Sequence, residues 1–147
     1  MLLRLAISIF IYDIWFYFSH KLLHTKYLYK YHKLHHSTNP TKLNYNDTYY
    51  ASNFESIFQS FGGIFPIFIF NLGLYEFLLH LAFYNIRGMI RHDVRLIKYF
   101  GNHHIMHHYY PNKNFSSFYI DYVFGTNYKS DLKINNKYNY GIMEIHT

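Results

Sequence analysis

The 147-residue chain contains no cysteine, which excludes disulfides, thiolate metal sites and cysteine nucleophiles, and leaves the redox compartment open. It is also short of charge: 15% of its residues are Asp, Glu, Lys or Arg, against roughly 25% in an average soluble domain. Only 8 residues are acidic, and the only glutamates are Glu55, Glu76 and Glu144. That scarcity argues against the carboxylate-bridged dimetal bundles, which take Glu and Glu-x-x-His pairs from several helices. H-E-x-x-H does not occur, so a zincin site is excluded too. The net charge of +6 lies in no dense Lys/Arg run, which speaks against a nucleic-acid partner. Internal repeats are absent.

What the chain has instead is apolar surface. Half of its residues are hydrophobic and 23% are aromatic, more than one small globule needs, and this surplus points to a membrane. Mean hydropathy is nevertheless slightly negative, because Asn, Lys and His are frequent. AT-rich coding favours Asn, Ile, Lys, Phe and Tyr, so the 18 tyrosines carry little weight. Such coding does not favour histidine, and 12 in this length require another cause.

Leu2 to Ser19 is apolar apart from Arg4 and Asp13, and as a helix it nearly crosses a ~30 Å hydrocarbon core. It has no small-residue cleavage site and runs straight into histidines, unlike a signal peptide. A polar, basic stretch follows from His20 to Asn53, broken at Asn39-Pro40. The second apolar region, Ile57 to about Ile90, is interrupted at Pro66 and at Asn71-Leu72-Gly73, which predicts a hairpin whose short first arm is re-entrant. Of the 14 basic residues, 13 fall within Lys21–Lys42 or Arg87–Lys137, and none lies between Leu43 and Ile86. Positive charge collects on the cytosolic side, so both ends of the hairpin are expected there. The division expected is a membrane domain over 1–126 and a polar tail over 127–147.

Three histidine clusters stand out: His20-x3-His24, His32-x2-His35-His36 and His104-x2-His107-His108. Residues three and four apart share a helix face, so each cluster can aim two or three imidazoles the same way. Two copies of H-x-x-H-H beside an H-x-x-x-H make accident a poor account. Ligand type alone leaves Fe, Zn, Cu and Ni open. Asp13 is costly in an apolar helix unless paired, and seven residues before His20 it shares that residue's face. The expectation is that it accepts an N–H from a ligating imidazole. Glu55, Asn114 and Asp121 are weaker cases of the same kind. Trp15 and the tyrosine-rich flanks read as an interfacial aromatic belt. His80 lies roughly 120° around a helix from His92, and reads as a hydrogen-bonded core residue. His146 falls in the tail, away from the site.

The order of these boxes around an apolar hairpin resembles the fatty acid hydroxylase and sterol desaturase superfamily, whose members include C-4 methylsterol oxidases, sterol C-5 desaturases and sphingolipid hydroxylases. Asp13-Ile-Trp-Phe-Tyr-Phe-Ser-His20 is similar to the lead into that family's first box. His103 precedes the third box as in the methylsterol oxidases, and Asn114-Phe115 through Asp121-Tyr-Val-Phe-Gly125-Thr126 resembles the closing segment. The likeness covers about Tyr12 to Thr126. Acyl-CoA desaturases also carry three boxes, but with the first two much farther apart. The family usually carries a further hydrophobic segment before the first box, whereas this chain opens almost at the box-bearing helix.

The resemblance implies an all-α membrane protein whose cytosolic helical cap holds two iron ions, with zinc as the substitute in a purified form. It makes His20, His24, His32, His35, His36, His104, His107 and His108 the ligands, with His92 and His103 as further candidates. O2 is the implied co-substrate, and a sterol, fatty acyl or sphingoid lipid is hydroxylated or desaturated. Electrons are expected from a partner such as a cytochrome b5-like protein, a ferredoxin or a reductase. The expected location is the endoplasmic reticulum in a eukaryote or the inner membrane in a bacterium. Two rival readings are a non-catalytic metal-binding membrane protein or degenerate homologue, and a soluble histidine-rich hydrolase.

Overall fold

The structure, a computed structural model, describes residues 2–128. The expected tail therefore falls outside the described residues from 129 onward, His146 included. Among the described residues every regular element is helical. Three long helices make the body: α1 (Leu2–Leu23), α3 (Asn53–Phe70) and α4 (Leu74–His92). Four short ones, α2 (Tyr29–His32), α5 (Ile97–Phe100), α6 (His103–Tyr109) and α7 (Phe118–Val123), cluster with several 3-10 turns.

At 22 residues α1 is about 33 Å long, and among the described residues it alone is long and apolar enough to cross a membrane. The α3–α4 hairpin is the one the hydropathy predicts, with two differences. Its first arm starts earlier, at Asn53, where Ser52 Oγ accepts the Glu55 N–H at 3.2 Å and caps the helix. Pro66 also does not interrupt it. The ring costs the helix one hydrogen bond, yet Pro66 is buried within α3, and the chain turns only where Asn71 adopts left-handed backbone at φ 47°.

Two glycines bring the long helices together. A Cβ on Gly62 would stand 2.7 Å from Trp15 Cδ1 on α1, and one on Gly63 would stand 2.8 Å from Tyr84 Cε1 on α4. α3 thus nests against both neighbours, and Trp15 Nε1 donates to Phe58 O across the α1–α3 contact at 3.1 Å. Residues 35–49 form a strap of 3-10 turns over α4, held by the reciprocal Asn44–Asp47 cap and by Val94 N–H donating to Leu43 O at 3.2 Å.

Polarity runs opposite to that of a water-soluble globule. Among the described residues the buried side chains include Asp13, Glu55, Asp121 and eight histidines, beside apolar ones such as Leu23, Leu43, Ile105 and the cluster of Tyr17, Phe115 and Ile120 with Ile14 against it. Leu2, Ile57, Phe68, Ile69, Leu74 and Ile86 are exposed, Phe68 by 79%. Many large apolar side chains exposed along all three long helices suit a surface covered by something other than water.

Candidate metal centre

The histidines arrive from several elements. His20 lies in the last turn of α1 and His24 just beyond it, its N–H still bonded to His20 O at 3.1 Å. His32 ends α2, while His35 and His36 sit in the 3-10 turn that follows. His92 is the last residue of α4, and His104, His107 and His108 lie on α6. They converge into two groups, His20, His24, His32, His36 and His107 in one and His35, His92, His104 and His108 in the other. Within each group the candidate ligand atoms lie within 4.8 Å of one another.

The ring nitrogens show what the groups are built to hold. Nε2–Nε2 distances are 3.0 Å for His20–His32, His35–His92 and His92–His104, and 3.1 Å for His36–His107. The other nitrogen is anchored in most of these rings. His20 Nδ1 lies 2.6 Å from Phe115 O, His107 Nδ1 2.6 Å from Lys113 O, His92 Nδ1 2.8 Å from Gly88 O, and His32 Nδ1 2.7 Å from Glu55 Oε1. Carbonyl oxygens only accept, so in His20, His107 and His92 Nδ1 carries the proton and Nε2 presents a lone pair, while burial pushes the Glu55 carboxyl beside His32 up to about 8. Two lone pairs facing each other at 3.0 Å repel unless a cation lies between them. Nitrogens bound at right angles to one ion at ~2.1 Å stand about 3.0 Å apart, so the spacing suits a shared metal. His24 Nε2, His104 Nδ1 and both nitrogens of His108 are buried with no hydrogen-bond partner among the described residues, as fits further donors to an ion.

Electrostatics agree with this. Burial, reinforced by the neighbouring histidines, lowers His24 from 6.5 to about 4 and His36 to about 2. Burial likewise takes His35 to about 4, and holds His104, His107 and His108 well below the ordinary imidazole value. Neutral imidazoles are what a transition metal requires, and protons compete weakly for them.

The boxes interleave between the groups. The second box gives His32 and His36 to one group and His35 to the other, and the third gives His107 to one and His104 and His108 to the other. Ring centroids of His36 and His108, one from each group, are 4.6 Å apart. The groups are therefore two halves of one centre.

Three expectations need correction. His103 belongs to neither group: its Nε2 lies 3.0 Å from Asp121 Oδ2. Asp121 also accepts from the Phe115 and Ser116 N–H groups at 2.9 and 2.8 Å and from Thr126 Oγ1 at 2.7 Å. Burial works against this charge, but the bonds from His103, Ser116 and Thr126 hold the carboxyl below the usual carboxylate range. Asp121 and Asn114, which donates to His103 O at 2.8 Å, thus clasp the closing segment to the third box without touching a ligand ring.

Asp13 does not meet His20. Its carboxylate is bound by both terminal nitrogens of Arg87, by Ser117 Oγ at 2.7 Å and by Tyr119 OH. The imidazole-orienting carboxylate is instead Glu55, which a long loop separates from His32 in sequence. The third correction is His80, which is fully buried with neither nitrogen hydrogen-bonded among the described residues. It packs edge-on to Tyr12 and Tyr84.

Beside the centre is a cavity of about 250 Å³. His20, His35, His92 and His104 form its histidine wall, and Phe16, Glu55, Gln59, Tyr84, Arg87 and Arg91 are among the residues that complete it. Two groups of histidines that could hold metal, bordering a partly open and partly apolar cavity, define the class as a candidate histidine metal protein. Residues 5–126 match the fatty acid hydroxylase family, and the chain belongs to that family. No curated protein and no solved structure matches it. Family membership, the apolar α1 helix and the apolar exterior together associate the chain with a membrane and with the lipid-oxidising chemistry of its family.

Proposed function

We propose that the chain is an O2-dependent lipid hydroxylase or desaturase working at a di-iron centre held by His20, His24, His32, His36 and His107 on one ion and His35, His92, His104 and His108 on the other. One observation supports this reading: nine histidines gather into two interleaved groups, and four of them, His20, His35, His92 and His104, line one cavity. Bound iron would supply the reduction of O2 there, with two electrons and two protons joining R–H and O2 to give R–OH and water, or an alkene and two waters. The protein's own part is positional. Phe115 O, Lys113 O, Gly88 O and Glu55 hold Nδ1 protons and so fix ring orientation before metal binds. Phe16 and Tyr84 help to exclude water from the reacting carbon.

The centre would face the cytosol, in the endoplasmic reticulum or a bacterial inner membrane, because the basic segments flank it. Lys21, Lys30, Lys33 and Lys42 are exposed beside the first two boxes and would meet the acidic face of an electron-donating partner. The test is metal analysis of purified protein, together with lipid mass spectrometry of a host expressing wild type or His107→Ala. About two irons per chain and an oxidised lipid lost in the variant are expected. One zinc per chain with no oxygen consumption would overturn the reading in favour of a metal carrier.

A further inference from the structure

Helix α4 carries Phe83, Arg87 and Arg91 at four-residue intervals, so the three lie on one face. The two arginines have different partners. Arg87 is bound to Asp13, and the Asp13 carboxylate is also engaged by Ser117 and Tyr119. Arg91 donates to Ser117 Oγ at 3.0 Å, and no carboxylate lies within ion-pair distance of it among the described residues. Two positive charges thus stand against one negative charge, and the excess belongs to Arg91. Occupied metal groups would make this side of the molecule still more positive.

Arg91 also occupies a junction. It lines the cavity beside His92 and His104. With Arg87 it also lines a second, more open groove of about 350 Å³, whose other walls are Phe83, Ile86, Ile90 and Phe100. Ile86 and Phe100 are exposed, so that groove continues the apolar exterior. The arginine pair is common to both spaces. A guanidinium with unused donors, between a lipid-like groove and a polar cavity at the metals, complements an amphiphile with an anionic head.

We infer that this junction binds an acidic amphiphile whose anionic head, a carboxylate or a phosphate, is held by Arg91, with its acyl tail lying along Phe83, Ile86, Ile90 and Phe100. Arg91 is then a specificity-determining residue that selects acidic over neutral lipids. The inference goes beyond the oxygenase reading, because binding is independent of turnover.

The experiment measures binding of dodecanoate, dodecyl phosphate and the neutral dodecanol to the metal-loaded full chain in a neutral detergent, for wild type, Arg91→Gln and Arg91→Lys. Wild type should prefer an acidic head over the alcohol on the order of 10-fold to 100-fold, the range for hydrogen bonds to a charged group. Arg91→Gln should lose that preference with dodecanol binding unchanged, and Arg91→Lys should recover part of it. Whichever acid binds tighter identifies the head group, and either supports the proposal. Equal binding of acid and alcohol to wild type overturns it, even if Arg91→Gln fails to fold and even if the protein oxidises lipids. A preference abolished by Arg91→Gln in a protein that consumes no O2 would leave this proposal standing and remove the oxygenase reading.

Discussion

The five-histidine and four-histidine groups draw on the same boxes but meet the cavity differently. In the smaller group His35, His92 and His104 all line it; in the larger group only His20 does. The smaller group thus presents most of its imidazoles to the cavity, and the larger turns most of its imidazoles away from it. Metal sites that bind substrates or O2 keep a position open, and structural sites do not. On the proposed di-iron reading the two groups would divide the labour, the four-histidine group serving the cavity and the five-histidine group the fold around it.

The largest effect expected from this difference comes from removing one ligand on each side. His108→Ala leaves three imidazoles on the cavity side and should abolish turnover while metal falls toward one ion per chain. His24→Ala leaves four on the side turned away from the cavity, enough to hold an ion, and should keep nearly two ions and part of the turnover. Metal content and product yield, measured on both variants side by side, decide the matter. Equal losses would mean that the groups are equivalent and that the division of labour is wrong.

The two buried carboxylates of the long helices sharpen the comparison at a smaller scale. Asp13 closes the arginine and closing-segment network and touches no ligand, so Asp13→Asn should cost on the order of 3 kcal/mol of stability by leaving Arg87 largely buried without its counter-charge. Its metal content should hold. Glu55 touches His32 in the larger group, and Glu55→Gln should weaken metal binding about 10-fold to 100-fold with little change in melting temperature. Thermal melts and metal titrations of the pair provide the check; a metal loss in Asp13→Asn as large as in Glu55→Gln would return Asp13 to the site.

These two residues also show where the sequence was legible. Box spacing announces the histidines because helical periodicity brings residues three and four apart together, and the hairpin shows in its hydropathy and in its stretch without Lys or Arg. Periodicity placed Asp13 on the His20 face correctly but could not say that Arg87, 74 residues away, would reach it first. Glu55 pairs with His32 only because the strap folds back over α4, a long-range contact with no local signature. The division of each H-x-x-H-H between the two groups was equally hidden: in the second box it accompanies a change of backbone from α-helix at His32 to a 3-10 turn at His35, but the third divides along the single helix α6. Pro66 misled for a related reason: a proline within a helix buried among its neighbours bends the pattern of hydrogen bonds without ending the helix.

The smallest effect concerns His103, which adjoins His104 in the sequence and would be counted a ligand by proximity alone. Its ring is tied to Asp121, and its side chain is 23% exposed, more than any ring in the four-histidine group allows. Asp121 keeps three other donors when that bond is removed, from Phe115, Ser116 and Thr126. His103→Ala should therefore cost only about 1 kcal/mol, the net worth of one partly exposed hydrogen bond, and leave both ions in place. His104→Ala, one residue along, should lose metal from the cavity side. Metal analysis of the two variants separates a clasp from a ligand: if His103→Ala loses an ion, the third box contributes four ligands and the asymmetry between the groups disappears.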